Sequence, residues 1–265
     1  MRFYCLLALA LGTSLAVGCV VEERCYRDSD CGERYVCTAA GRCVPRPGDC
    51  LEDADCLDES LECIAYSCYP RDRESLDCPD DMAPIPTERA VYCMDIHEAS
   101  HPEATAESPG PQEIAPGETP AAATSREGVL PWQIESNEAA QAACEAAGKR
   151  LCTPEEWEYA CRGPDHLEYA YGNVYDDEIC NGLYTFPDGH RLMPTGSFPE
   201  CKNEFGVYDL NGNLWEHTLD GSDRTVRGGA YDCVNPGRLH GCGYIPETDA
   251  WTPSARGFRC CLGEL

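Results

Sequence analysis

The sequence predicts an α+β fold that is rich in loops and cross-linked by disulfides. Two stretches in the middle of the chain, 136–148 and 153–162, have the apolar spacing and end residues of amphipathic helices. After them, Gly, Asn, Asp and Pro recur every few residues, which favours short strands and long ordered loops. The 265-residue chain also contains 21 cysteines, a number typical of a domain that is cross-linked by disulfides in an oxidising compartment.

The N-terminus has the features of an export signal. A charged start precedes an apolar run to Val17 that is too short to span a bilayer comfortably. The run ends in Ala-Val-Gly-Cys19, which resembles a lipobox. We therefore expect residues 1–18 to be a lipoprotein signal peptide, 19–24 a tether, and Cys19 a lipidated N-terminus that holds the protein at the outer membrane or cell surface. The alternative is an ordinary signal peptide followed by a coincidental cysteine.

Charge and cysteine count restrict the classes of partner. A formal net charge of −27 opposes binding to nucleic acid or to anionic lipid headgroups, whereas it fits cation binding or solubility. Once Cys5 leaves with the signal and Cys19 carries lipid, 19 of the 21 cysteines remain. Because this number is odd, we expect at least one thiol without an internal disulfide partner.

Residues 25–70 contain a cysteine pattern that occurs twice. Each copy opens with Asp-x-Asp-Cys after its first cysteine and has too few apolar residues to bury a core without cross-links. Two small disulfide modules, acting as a spacer or docking stalk, are therefore expected, and metal binding is the alternative. The cysteines of the two copies are Cys25, Cys31, Cys37 and Cys43, then Cys50, Cys56, Cys63 and Cys68.

A globular domain is expected over 78–265. Its segment 100–126 is rich in Pro, Ala, Glu and Gly without an apolar period, so we expect a solvated loop there. The first predicted helix has a Ser N-cap and a terminal Gly148. The second begins with Thr153-Pro-Glu-Glu156, in which Thr caps the helix and Glu156 completes a capping box.

Six blocks in this domain resemble the formylglycine-generating enzyme (sulfatase-modifying factor) family. They occur in family order and are Gly148-Lys-Arg-Leu151, Glu155-Glu-Trp-Glu-Tyr-Ala-Cys-Arg-Gly163, Tyr169-Ala-Tyr-Gly-Asn173, Gly206-Val-Tyr-Asp-Leu-Asn-Gly-Asn-Leu-Trp-Glu216, Val226-Arg-Gly-Gly-Ala-Tyr231 and Gly257-Phe-Arg-Cys260. A weaker likeness extends back through Cys78, Met82 and the segment Tyr92–Glu98. The resemblance implies a fold similar to that of C-type lectin domains, with a large share of loop.

Calcium is the cofactor that this resemblance implies for an acidic, loop-rich domain, because carboxylate and carbonyl oxygens suit a hard cation. The residues that match one family site are Asp209, Gly212, Leu214 and Glu216. Those that match a second site are Asn181, Gly182, Asp188 and, by its carbonyl, His190. For both sites the alternative is a turn with solvated acidic side chains.

The resemblance also implies disulfides. By the family pattern, Cys144 pairs with Cys260 and Cys161 with Cys242. Nearness in this pattern or in sequence suggests three further pairs, namely Cys152 with Cys261, Cys180 with Cys201, and Cys78 with Cys93. The cysteine left over is Cys233.

Oxygen-using family members hold copper(I) with two loop thiolates, which suit this soft ion. Cys233 matches the first thiolate, but the second position falls at Arg238 or Gly237, and Ala230 replaces the active-site serine. If the site is partly open, Arg227 and Arg238 should favour the Cys233 thiolate. The alternatives for Cys233 are a disulfide or a buried inert thiol.

Two functions from different classes remain open at this point. One is a non-catalytic, surface-displayed module that binds a peptide, a glycan or a partner protein. The other is an oxidoreductase of the formylglycine-generating type, with Cys233 central and with Trp215, Arg227 and Tyr231 shaping the pocket. The missing second thiol discriminates between them. The six histidines show no spacing typical of an iron site, and no phosphate-binding loop or serine nucleophile elbow is present.

Overall fold

The computed structural model describes parts of the N-terminal region and most of the C-terminal domain. The ranges are 35–37, 43–45, 56, 61–64 and 67–70, then 77–263 apart from 88–89, 113, 115–118, 220–225 and 246–254. The predicted signal peptide, the tether with Cys19 and much of the cysteine repeat lie outside these residues. Within them, no helix has the length and apolar character needed to cross a membrane.

The chain divides into two compact units, Met1–Arg71 and Asp72–Leu265. In the first unit, two antiparallel hairpins are described, which pair β1 with β2 and β3 with β4. A disulfide joins Cys56 to Cys68, which lies in β4. The strand bounds are Tyr35–Cys37, Cys43–Pro45, Leu61–Ile64 and Ser67–Pro70.

The second unit is built on two small sheets. One has the strand order β5-β6-β13-β9, and the other has the order β11-β10-β12, in which β10 and β12 run parallel. A short pair, β7 with β8, lies apart from both. The bounds of β5 to β13 are Met82–Pro86, Val91–Asp95, Ala99–Ser100, Thr124–Ser125, Arg150–Leu151, Trp215–His217, Val226–Arg227, Arg256–Phe258 and Cys260–Leu262.

Both predicted helices are present. Helix α1 spans Asn137–Ala146, and the Ser136 hydroxyl at its N-cap accepts a hydrogen bond from Ala139 N. Helix α2 spans Pro154–Arg162 and begins with the full capping box expected from the sequence. A short third helix, α3, spans Pro236–Leu239 and was not predicted.

The segment 100–126 is more ordered than its composition suggests. β8 lies at its end and pairs with β7, and Ala104 and Ala123 are buried. Nη2 of Arg126 donates to three backbone carbonyls between residues 101 and 104. The expectation of a wholly solvated loop is therefore wrong, because one guanidinium satisfies carbonyls that composition alone would leave to water.

Mixed helices and short strands, much irregular backbone and many disulfides confirm the predicted fold class. Disulfides connect α1 and the residue after β9 to β13, α2 to the loop after α3, the segment before β5 to β6, and two loops to each other. Three fully buried tryptophans, Trp132, Trp157 and Trp215, lie in three neighbouring apolar clusters. The disulfides of this unit are Cys78–Cys93, Cys144–Cys260, Cys152–Cys261, Cys161–Cys242 and Cys180–Cys201, the same five pairs named above.

Candidate functional site

Cys233 lies in the loop between β11 and α3. It is the free cysteine of the described residues, and only 5% of it is exposed. Its Sγ accepts a hydrogen bond from Ala230 N at 3.1 Å and another from the Trp215 side chain. Burial, and then the charge of Asp232, raise the pKa of the thiol to about 12 despite these two donors. The group is therefore a protonated thiol at neutral pH.

The expected activation of Cys233 by two arginines is wrong. The Arg227 guanidinium lies 3.8 Å from the Glu158 carboxylate of α2, so it faces the helix. The Arg238 guanidinium lies over the Tyr244 ring, 5.4 Å from its centre. Since burial outweighs any nearby positive charge, the pKa of Cys233 rises.

The turn that presents Cys233 requires glycine at two positions. Gly228 and Gly229 both have positive φ, 86° and 77°. A Cβ on Gly228 would lie 2.6 Å from the Leu210 carbonyl oxygen, and one on Gly229 would lie 2.3 Å from the His240 ring. The glycine pair thus lets the chain pass between the core loop and α3.

His240 belongs to this site, although the sequence did not single it out. Its Nε2 forms a hydrogen bond with the Ala230 carbonyl at 3.1 Å, while Ala230 N donates to Cys233. Burial lowers the pKa of the imidazole to about 4. The ring is therefore neutral, and it bonds the backbone of Ala230 through the carbonyl while the thiol bonds it through the N–H. The sequence carried no signal for this role, because α3, which precedes His240, was not predicted.

The other predicted pocket residues lie at different depths. Trp215 is fully buried beside Cys233, and its ring centre is 6.2 Å from that of Tyr244. Tyr231 is partly buried and stacks on the exposed His190 at 5.8 Å. The structure thus brings Trp215 and Tyr231 to the loop that carries Cys233, whereas Arg227 points towards α2.

At the first predicted calcium site, Glu216 already has three donors. Arg259 Nε and Nη2 donate to its two oxygens, and Trp157 Nε1 donates to Oε2 at 2.5 Å. Since an ionised carboxylate offers about four lone-pair positions, little of its capacity remains for a cation. Asp209 is buried and accepts from Gly196 N at 2.7 Å. Gly212 and Leu214, which lie between Asp209 and Glu216 in sequence, are also buried.

A third carboxylate, Glu98, joins this cluster and was missed by the sequence reasoning. It accepts from Leu214 N at 3.0 Å and from the Asn213 side chain. Burial, then the charges of Asp209 and Glu216, raise the pKa of Glu98 well above its usual value, and burial raises that of Asp209 to about 6. Three buried acids therefore lie near a single guanidinium, that of Arg259. A bound cation would offset the surplus of acidic groups over basic ones.

The residues of the second predicted calcium site differ in burial. The Asn181 side-chain oxygen is buried and accepts no hydrogen bond, as expected for an oxygen that can bind a cation. Gly182 is buried beside it. Asp188 and His190 are exposed, and the Asp188 carboxylate pairs with Arg191 at 3.1 Å. The described residues contain no cluster of three or more His, Cys, Asp or Glu side chains arranged to hold a metal.

Comparison with known proteins identifies the family of the C-terminal domain. The sequence model of the family described as "Sulfatase-modifying factor enzyme 1-like domain" matches residues 95–263, more than half of the chain. The chain belongs to this family. The match places the loop of Cys233, both predicted calcium sites and the buried acidic cluster inside its sulfatase-modifying factor domain.

Two curated relatives differ in the activity that their names state. "Inactive C-alpha-formylglycine-generating enzyme 2" of Bos taurus is 34% identical over 144 residues, which cover 47% of each chain. "Formylglycine-generating enzyme" of Bos taurus is 32% identical over 159 residues, 48% of this chain and 42% of the relative. This protein thus spans about half the length of the curated relatives that it matches.

Among solved structures, "Treponema denticola variable protein 1" matches this chain with a TM-score of 0.43 and 14% sequence identity. The alignment covers 65% of this chain and 84% of that one.

Proposed function

We propose that the sulfatase-modifying factor domain of this protein is a non-catalytic binding module displayed outside the cytoplasm. The observation that carries the proposal is the state of Cys233, which is buried and has its pKa raised to about 12. Copper(I) binding of the kind implied by the family resemblance needs two thiolates, and position 238 is an arginine whose guanidinium lies over a tyrosine ring.

The similarity to relatives named inactive supports the same conclusion. A scaffold in which disulfides and buried ion pairs hold long loops can present those loops rigidly to a ligand, at low entropic cost on binding. We propose a peptide, a glycan or a partner protein as that ligand. The disulfides indicate an oxidising environment. Attachment to a membrane through lipid on Cys19 completes the proposed arrangement.

Calcium is proposed as a structural ion of this domain. The repulsion of Glu98 by the buried carboxylates of Asp209 and Glu216, which together with burial raises the pKa of Glu98, and the unpartnered buried oxygen of Asn181 support it. At the first site a calcium ion would have to share Glu216 with Arg259. For this reason Asn181 offers the more direct test.

An oxidation assay with a cysteine-containing sulfatase peptide tests the non-catalytic proposal. The folded protein, with and without copper(I), is expected to leave the peptide unchanged by mass spectrometry, and copper(I) should bind weakly in competition with a chromophoric chelator. The matched variant Arg238→Cys supplies a second thiol, so it is expected to bind copper(I) more tightly than the parent protein. Copper-dependent formylglycine formation by the parent would overturn the proposal in favour of the oxidoreductase.

A further inference from the structure

The turn that carries Cys233 is closed around the backbone of a single residue, Ala230. The Ala230 N–H donates to Cys233 Sγ at 3.1 Å, and the Cys233 N–H donates to the Ala230 carbonyl at 3.2 Å. The same carbonyl forms a hydrogen bond with Nε2 of His240 at 3.1 Å. A shift of Ala230 would therefore release Cys233 at both its backbone and its side chain.

The hydrogen bond to Ala230 fixes the tautomer of His240. A carbonyl oxygen can only accept, so in the neutral ring Nε2 carries the proton and Nδ1 carries the lone pair. The ring is neutral because burial lowers its pKa to about 4. Nδ1 is buried and has no hydrogen-bond partner, so the imidazole holds its polar surroundings through Nε2 and the Ala230 carbonyl.

The imidazole of His240 is enclosed by glycines from three segments of the chain. A Cβ on Gly182 would lie 3.2 Å from its Cε1, and a Cβ on Gly212 would lie 3.0 Å from the same atom. A Cβ on Gly229 would lie 2.3 Å from its Cδ2. The partly buried Tyr175 ring meets the imidazole edge to face at 6.0 Å. The ring therefore fills a space that these glycines leave open, and it has little room to turn away from Ala230.

The backbone of His240 is held independently of its side chain. Its N–H donates to the Pro236 carbonyl at 2.9 Å, and its carbonyl accepts from Nδ2 of Asn211 at 2.6 Å. The Asn211 side chain is itself fixed, because its oxygen accepts from Ala170 N at 2.8 Å. A substitution at position 240 can therefore remove the imidazole while the backbone contacts of this segment remain.

From these contacts we infer that His240 is a positioning residue that keeps the Cys233 thiol shielded from solvent. The imidazole holds the Ala230 carbonyl, and the Ala230 N–H in turn holds the thiol. Without the imidazole donor the turn should open more often, because one of the hydrogen bonds that close it is lost. The inference rests on the proposed function, which depends on the shielded state of Cys233, and it names the side chain that maintains this state.

The rate at which iodoacetamide alkylates Cys233 in the folded protein tests this role. His240→Leu removes the donor but keeps a side chain of similar size, so alkylation should become about tenfold faster. His240→Gln keeps an N–H donor at a reach similar to that of Nε2, so its Cys233 should be alkylated nearly as slowly as in the parent. Gly182→Ala keeps the imidazole but places a methyl group 3.2 Å from its Cε1, and it should also accelerate alkylation by displacing the ring.

Tyr92→Phe is the matched control for general loss of stability. It removes another buried hydrogen bond, from the Tyr92 hydroxyl to the Glu156 carbonyl at 2.7 Å, in a different apolar cluster from that of Cys233. Its Cys233 should be alkylated at the parent rate.

Three results would overturn the role of His240 while leaving the copper oxidation test of the proposed function unaffected. The first is equal acceleration in Tyr92→Phe and His240→Leu, because alkylation would then follow general unfolding. The second is alkylation of His240→Gln as fast as that of His240→Leu, and the third is the parent rate in both His240→Leu and Gly182→Ala. Rapid alkylation of the parent would overturn the shielding of Cys233 itself, and with it both the role of His240 and the main support of the proposed function.

Discussion

Arg259 and Glu216 form a bidentate ion pair that is wholly inaccessible to solvent. Arg259 Nε donates to Glu216 Oε2 at 2.6 Å, and Nη2 donates to Oε1 at 2.5 Å. The same guanidinium donates to the carbonyls of Asp95 and Tyr208. One side chain between β12 and β13 therefore ties together β6, β10 and the loop before β10.

Replacing Arg259 by Met should strongly destabilise the domain. Removing one partner of a buried pair leaves Glu216 without compensation in the core, at a cost of about 3–5 kcal/mol in the free energy of unfolding. Urea denaturation with disulfides intact measures this. Arg162→Met is the control, because Arg162 forms a more exposed pair with Glu158 and should change stability by less than about 1 kcal/mol. Equal losses for both variants would show that burial does not govern the Arg259 pair.

Calcium should raise the melting temperature of the C-terminal unit, and chelation should lower it. An ion that binds the native state alone adds about 2.7 kcal/mol at a hundredfold excess over its dissociation constant. Asn181→Ala should reduce this calcium-dependent rise, because it removes the unpartnered buried oxygen. Asn235→Ala, at an exposed residue without a side-chain cap bond, should keep the full rise. A melting temperature that does not respond to calcium or to chelator would exclude the structural-ion proposal.

Cys233 should resist alkylation in the folded protein. A thiol with its pKa near 12 and little exposure is protonated and shielded at about pH 8. Iodoacetamide followed by peptide mapping should find Cys233 unmodified before denaturation and modified after it. Cys233→Ala provides the blank for the mapped peptide. Rapid labelling of the native protein at this position would indicate an accessible, ionised thiol and would favour the oxidoreductase.

His97 should make the domain less stable as the solution is acidified. Burial, and then the charge of Arg259, lower its pKa to about 4, whereas a histidine in an unfolded chain has a pKa of about 6.5. Between these values the unfolded chain binds the proton and the native state does not. Stability therefore falls as pH falls through this window, by up to about 1.4 kcal/mol per pH unit.

His97→Gln should remove this contribution, which is measured as the difference in slope between variant and parent in urea denaturation from about pH 4 to 6.5. His166→Asn changes an exposed histidine at a positive φ that asparagine tolerates. It should retain the slope of the parent. If His97→Gln gives that same slope too, His97 is protonated in the native state.

Mature protein purified from membranes should begin at a lipidated Cys19. The apolar run before it ends in the small residues of a lipobox-like sequence, so cleavage there would leave this cysteine as the first residue. Intact-mass and N-terminal peptide mass spectrometry check this. Cys19→Ser should move the protein from the membrane to the soluble fraction. An unmodified N-terminus elsewhere in the mature chain would contradict the lipoprotein assignment.

The sequence predicted the helices well because their signals are local. The Ser136 cap and the Thr153–Glu156 capping box depend on contacts three residues apart, which a pattern shows directly. Segment 100–126 was misjudged because Arg126 orders it through carbonyls more than 20 residues away. Composition records the type of residue present but not the groups that a long side chain reaches.

The candidate site also has some features that the sequence predicts and others that depend on tertiary packing. The resemblance to the family was sufficient to single out Cys233, because this residue follows Gly228-Gly229 and is left over once the implied disulfides are paired. Its protonation state depends on how deeply the thiol is buried and on where Arg227 points, which are results of packing between distant segments. For the same reason only the tertiary structure revealed that Glu98 and Arg259, more than 100 residues apart, meet in one buried cluster. Residue order alone specifies the helix caps, the cysteine repeats and the unpaired cysteine. The burial of a side chain and the balance of charge around it are set only when residues distant in sequence pack together and exclude water.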